Sequence, residues 1–343
     1  MNFAPNLLLR LRDLFNPSAT ASRDDYHYSR LTDSQKRAYQ VMASGMKAFA
    51  PKLRLPLRPM NEILMIFQCL LLDDPLLFYV SSFNLERNLA GNHCIMRPDY
   101  KYPQGFVRQT TNTIMQFLRA FDSVKTAGDF DKEKYVHDYC LKHFRYDHSD
   151  GDYSHSILGP ILNQTAVCQG IASFVKLALD YLEVKNLVVH GKSRNPIDAS
   201  VEEHAWNIVF INGHAYHLDV TFDLTIKGKA NRYDYFNLAD EDIKKDHTIL
   251  TDAPACTTAG NDYMSANGLT ARDVAELEKI IGDSLRRGAK TVLVKLLNVQ
   301  NEDTIVSTVM SVAQRQYSGI SPSGGTVEIS HNLNQSVFEI NFS

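Results

Sequence analysis

Residues 204 to 222 read His-Ala-Trp-Asn-Ile-Val-Phe-Ile-Asn-Gly-His-Ala-Tyr-His-Leu-Asp-Val-Thr-Phe, two β-rich runs on either side of Asn212-Gly213. Two residues of this type between such runs are the strongest short-range hairpin signal, because both tolerate the positive φ of a tight turn. A two-residue loop pairs Ile211 with His214, and counting back sets Trp206 opposite Asp219 and His204 opposite Thr221. His204 and Asp219 then share a face as diagonal neighbours, within reach of a carboxylate-to-imidazole hydrogen bond. A four-residue loop would change that register. Strand alternation sends His214 to the face opposite His217 and Asp219.

The second decisive stretch is Ala166-Val-Cys-Gln-Gly-Ile-Ala172. From Gln169 onward the apolar residues fall at Ile171, Phe174, Val175, Ala178, Leu179 and Leu182, the spacing of a helix with one buried face. Cys168 opens that helix. A thiol there faces unpaired backbone N–H groups and the positive end of the helix dipole, and both favour the thiolate. The same N–H groups suit the oxyanion of a tetrahedral intermediate. A cysteine in such a place is, taken alone, more often inert packing. A histidine and an aspartate set on one face by a separate turn signal weigh against that, since together the three have the nucleophile, base and orienter of thiol catalysis.

In chain order these segments, with His155-Ser-Ile-Leu-Gly159 before them and Tyr233-Asp-Tyr-Phe-Asn237 after, resemble the transglutaminase-like superfamily over roughly residues 132 to 256. The resemblance implies an α+β, papain-like core in which a helix bearing the cysteine packs on an antiparallel sheet. It also implies roles: Cys168 as nucleophile, His204 as base and Asp219 as its orienter. Tyr146 resembles the tyrosine that precedes the core and lines the cleft in family members, a candidate substrate contact. Ile171 stands where the family often has an aromatic residue and Phe222 where it often has tryptophan. Trp206, the only tryptophan, is expected to wall the cleft or pack directly beneath it, and an exposed edge would suit an extended polypeptide.

Composition bounds the rest. At 343 residues with 44% hydrophobic and 22% charged side chains, the chain is an ordinary globular one too long for a single small core. The net charge of −3 gives no electrostatic case for nucleic acid or an anionic membrane as partner. Five cysteines at irregular intervals do not form the disulfide framework of a secreted module, and no Cys-x-x-Cys marks a structural zinc site. Cys69 and Cys140 fall on apolar stripes and read as core. Leu7-Leu-Leu near the start is broken by Arg10, Arg12 and Asp13, so it fits neither a signal-peptide core nor a membrane span. A cytoplasmic location is the resulting expectation.

The layout expected is a mainly helical region over residues 1–125, a catalytic core over 126–260, and a helix plus small α/β unit over 261–343. Thr32-Asp-Ser-Gln35 resembles a capping box ahead of an apolar face of Tyr39, Val41, Met42, Met46 and Phe49. A helix is expected from about Asn61 to Leu72, a short strand from Leu76 to Val80, and a helix from about Phe106 to Phe121. A helix over Lys132 to Phe144 is expected to bury Tyr135, Val136, Tyr139, Cys140 and Phe144. In the acidic loop after it, Asp147, Asp150 and Asp152 lack the order of a calcium loop. His204, His217 and Asp219 share the predicted face, which would admit adventitious zinc as an inhibitor. No metal or other cofactor is expected. Thr270-Ala-Arg-Asp273 opens a helix that Gly288 ends. Strand, helix and two strands follow, and Ser321-Pro-Ser-Gly-Gly325 reads as a turn, not a phosphate cradle.

Two functional classes follow. One is a cysteine enzyme that forms an acyl-enzyme on Cys168 from a peptide or carboxamide bond, with hydrolysis favoured over protein crosslinking. The other is a binding scaffold that keeps the fold without the chemistry, a reading that leaves the three residues without a chemical purpose.

Overall fold

The computed structural model describes residues 25–194, 200–226, 228–297, 302–321 and 325–343. The Leu7-Leu-Leu segment and positions 322–324 of the expected turn lie outside the described residues. Mixed helix and antiparallel sheet make up the fold. In chain order the elements are α1 (Tyr26–Arg30), α2 (Asp33–Lys47), β1 (Leu53–Pro56), α3 (Met60–Asp73), β2 (Val80–Asn88), β3 (His93–Tyr100), α4 (Gln104–Leu118) and α5 (Asp129–His143). Then come β4 (Arg145–Tyr146), β5 (Thr165–Ala166), α6 (Cys168–Tyr181), β6 (Asn186–Arg194), β7 (Val201–Ile211), β8 (His214–Leu218), α7 (Val220–Thr225), β9 (Phe236–Leu238), α8 (Asp240–Ile243) and β10 (His247–Ile249). The chain closes with α9 (Tyr263–Ala266), β11 (Thr270–Ala271), α10 (Val274–Arg286), β12 (Thr291–Leu296), α11 (Glu302–Ser318), β13 (Val327–Asn332) and β14 (Val337–Phe342). Among the described residues no helix is long and apolar enough to cross a membrane.

Two compact units result. The first comprises the described residues of Met1–His190, Ala205–Gly213 and Thr251–Ala253; the second those of Gly191–His204, His214–Leu250 and Pro254–Ser343.

In the first unit the capping box is as read: the Thr32 hydroxyl accepts from the Gln35 amide and the Gln35 side chain accepts from the Thr32 amide. Thr32→Ala is expected to cost about 1 kcal/mol, read as a lower urea midpoint at unchanged slope. Behind the cap α2 buries Ala38, Tyr39, Met42, Ala43 and Met46, while Val41 is exposed and off the expected face. The N-terminal third is less helical than the sequence suggests. The expected strand at Leu76–Val80 is a 3-10 turn over Pro75–Leu77, and β2 begins only at Val80. It pairs with β3 in an antiparallel sheet of order β1-β3-β2. Only one residue of β2 is fully buried, so the alternation that marks a strand is weak there.

Helix α6 is enclosed well beyond one face. Residues 170–179 are all buried, including Lys176, which is neutralised by Asp180 one turn on at 2.9 Å. Phe174 sits at its centre with Phe117, Phe121 and Phe144 packed around it at ring separations of 4.8 to 6.2 Å. On α5, Glu133 and His137 are buried where the spacing favours Tyr135, which is exposed. The start of α6 rests on the strands: Ala172, Val188 and Ala205 form one buried cluster, and Asn207 donates its side-chain amide to the Ala172 carbonyl at 3.0 Å. A helix bearing the cysteine, laid on strand residues of β6 and β7, is the arrangement the sequence anticipates.

In the second unit β8 pairs antiparallel with β9 and β10 pairs antiparallel with the end of β6, His247 facing Ser193. The C-terminal sheet has the order β11-β12-β14-β13, parallel only between β11 and β12. Leu277, Ile281 and Leu285 of α10 and Val309, Val312 and Ala313 of α11 share its core. Asp273 caps α10 and Gly288, with φ +82, follows its last turn, as expected.

Candidate functional site

Cys168 is the first residue of α6, and Val167 before it is extended with no side chain capping the helix. The first-turn amides are therefore not taken up by a capping side chain, which leaves a helix start suited to an anion. The thiol is half-buried and packs on Leu72, Ala172, Val188 and Ala205. Gly170 is required by a close approach: a Cβ there would meet the Ser154 carbonyl at 2.2 Å and the Ser156 carbonyl at 3.0 Å. The backbone of 154–156 thus lies directly on the first turn. Gln169 is held by its own contacts, its carbonyl oxygen 2.6 Å from His190 Nε2 and its amide donating to Ser173. Tyr146 pairs with Ala166 across β4 and β5, two residues before the cysteine, and is half-buried. Asp147 accepts from Ser149, Gly151 and Ser154 of its own loop, which holds its carboxyl below the usual range and makes it a turn organiser.

The second unit brings His204 and Asp219 together. His204 Nε2 lies 2.7 Å from Asp219 Oδ2, with both side chains buried. The geometry that does this differs from the expected register. The Asn212-Gly213 turn is as read, with φ of 52° and 84° between β7 and β8. The strand, however, ends at Leu218 and does not continue to Phe222. Asp219 leaves the sheet as the N-cap of α7, its Oδ1 accepting from the Phe222 amide at 3.1 Å. The expected placements of Trp206 opposite Asp219 and His204 opposite Thr221 therefore fall away: aspartate caps helices well, and that local preference overrides strand continuation. Trp206, expected to wall the cleft or to pack directly beneath it, is itself 1% exposed, so the exposed edge of the first alternative is not found.

His247 is the residue the sequence does not disclose. Its Nε2 reaches the same Asp219 oxygen at 3.0 Å, and its Nδ1 lies 2.6 Å from Asp246 Oδ1. Burial works against the Asp219 charge, but His204 and His247 outweigh it and hold the carboxyl well below the usual carboxylate range. Nothing in Lys244-Lys-Asp-His247 distinguishes this histidine from the other eleven.

His217 is not part of that cluster. It bonds Asp240 at 2.9 Å, and burial pulls its pKa down to about 4, so it stays neutral. The expected zinc-accepting trio of His204, His217 and Asp219 is thus replaced by two separate groups, His204 with Asp219 and His247, and His217 with Asp240 and Cys256. In the first, two imidazole nitrogens already converge on one carboxylate oxygen by direct hydrogen bonds. The second offers imidazole, carboxylate and thiol, a donor set that fits a borderline-soft cation such as zinc. His214 is exposed and meets Thr258, apart from both.

No protein-family model matches the chain, and no curated protein matches it. Among solved structures it is similar to one described as a TGase, at 17% identity and a TM-score of 0.28, covering 53% of this chain and 53% of that one. It is also similar to one described as a candidate cysteine protease from Cytophaga hutchinsonii, at 12% identity and a TM-score of 0.24, covering 41% of this chain and 61% of that one. The chain thus spans between half and two thirds of the length of each of these two structures.

Proposed function

We propose that the protein is a cysteine-dependent acyl-transfer enzyme acting on peptide or carboxamide bonds, with Cys168 as nucleophile, His204 as base and Asp219 as the group that orients it. The observation that carries this reading is the buried 2.7 Å hydrogen bond between His204 Nε2 and Asp219. It fixes the proton on Nε2 and makes Nδ1 the nitrogen that exchanges a proton with the thiol. In the reaction the thiolate attacks the carbonyl carbon, and the His204 imidazolium gives its proton to the leaving nitrogen as the C–N bond breaks. A thioester on Cys168 results. Water then attacks it, His204 takes the proton, and the acid and the free thiolate are released.

Hydrolysis is proposed over crosslinking because water needs no binding site of its own, whereas transfer to an amine needs one that also excludes water. Supplying a primary amine with a peptide substrate separates the two: an acid product alone supports hydrolysis, and an amide product in its place supports crosslinking. A cytoplasmic site of action belongs to the same proposal, since all five cysteines are free thiols, as a reducing compartment keeps them.

The direct test is selective alkylation. Burial pushes the Cys69 thiol up to about 11, that of Cys256 up to about 12, and that of Cys140 higher still. Cys94 is fully buried. Iodoacetamide at about pH 6 is therefore expected to label Cys168 far ahead of the other four, read by peptide mass spectrometry. Equal labelling of all five would remove the activated nucleophile from the proposal.

A further inference from the structure

His247 lies between two carboxylates, with one ring nitrogen directed at each. Nδ1 faces Asp246 Oδ1 at 2.6 Å and Nε2 faces Asp219 Oδ2 at 3.0 Å, and the ring is enclosed. A neutral imidazole has one N–H and would meet one of these oxygens with a lone pair. The far carboxylate is met by donors on its other oxygen. Asp246 Oδ2 accepts from the Tyr235 hydroxyl at 2.6 Å and from the Asn334 amide at 3.1 Å, so its surroundings are donors throughout. Asp219 is similarly supplied, with Oδ1 on the Phe222 amide and Oδ2 shared by two imidazoles. This is the geometry of an imidazole with hydrogen on both nitrogens.

We propose that His247 is a positioning residue for the reaction above: a permanently charged imidazolium that clamps the Asp219 oxygen it shares with His204 and tempers the basicity Asp219 confers on that base. This rests on the reading of His204 as the working base. Burial opposes the charge on His247, but its hydrogen bonds to Asp219 and Asp246 outweigh it and raise its pKa above the ordinary value. The other titratable groups that face it are the His204 ring at 5.4 Å between centroids, the Tyr235 ring at 5.7 Å, and neutral His217. With a positive charge that close, His204 loses part of the stabilisation its own imidazolium draws from Asp219. Without the charge, the His204 pKa should rise.

The experiment uses the full chain with 15N-labelled histidine. In the wild type at neutral pH, both His247 nitrogens are expected to show the chemical shifts of N–H nitrogens. In His247→Gln the amide still donates to Asp219 but carries no charge, so a purely structural role would leave the His204 titration where it was. The proposal expects the His204 pKa to rise by about one unit, the size of a unit charge at that distance in a partly screened interior. Asp246→Asn, which removes the partner and leaves the ring, is expected to neutralise His247 and move His204 in the same direction. A neutral His247 ring in the wild type, or an unmoved His204 in a folded His247→Gln protein, overturns the proposal. The thiol-labelling experiment fails or succeeds separately: unselective alkylation together with a shifted His204 would end the Cys168 reading and leave the His247 assignment standing.

Discussion

Cys168→Ala should abolish acyl-enzyme formation and lower turnover of any accepted peptide or amide by at least on the order of 10³. A thioester needs a sulfur, and alanine supplies none. The fold should tolerate the change. The side chain is half-buried against Leu72, Ala172, Val188 and Ala205, a setting in which a methyl group is at home, and helix α6 is anchored by Phe174 and its aromatic neighbours further along. Intact-protein mass spectrometry with an activated amide or ester reads the result directly. A wild-type adduct of acyl mass that persists in Cys168→Ala would place the nucleophile elsewhere.

Asp219→Asn carries the second large effect, a fall in turnover on the order of 10²–10⁴. The carboxylate receives N–H groups from His204 and His247 on one oxygen and from the Phe222 amide on the other. Asparagine still caps α7, being among the preferred N-cap residues, so the protein should remain folded. What it cannot do is accept from every donor at once, and the His204 tautomer is then fixed wrongly. The loss should appear in kcat with little change in KM, because Asp219 bonds His204, the proposed base. Wild-type turnover in the variant would remove Asp219 from the mechanism. His217, committed to Asp240 at 2.9 Å, is not positioned to replace it. The sign of the pH dependence follows from the same carboxyl. Its folded-state pKa is depressed, so its contribution to stability is present above the unfolded value of about 4 and lost as pH falls through the folded one.

The cysteine helix and the His204–Asp219 pair are legible in the sequence because their signals are local: an apolar period after Cys168, and a turn at Asn212-Gly213 that brings two neighbouring segments back on each other. The pairing is right for a partly wrong reason. Counting along an ideal hairpin carries the strand past Leu218, where an aspartate followed three residues later by the amide it caps marks a helix start instead. That signal is present in the sequence and competes with strand alternation on equal terms. His247 has no local signal at all, since what matters about it is its distance from Asp219, 28 positions earlier in the chain. The β2–β3 hairpin is obscured for another reason. Its outer strand faces solvent along most of its length, so the residues that form it are polar and read as loop.

Helix α6 bears on the kinetics through its enclosure. A sulfur mounted on a rod gripped from every side has little freedom to travel, so reaching the reactive distance falls to the substrate and to small rotations about one side-chain bond. The ordering that a mobile nucleophile would surrender in each turnover has already been given up when the chain folds. Loosening the grip further along the rod, at Phe174 for instance, would therefore register as a less favourable activation entropy at the thiol, in a protein whose Cys168, His204 and Asp219 are all still in place.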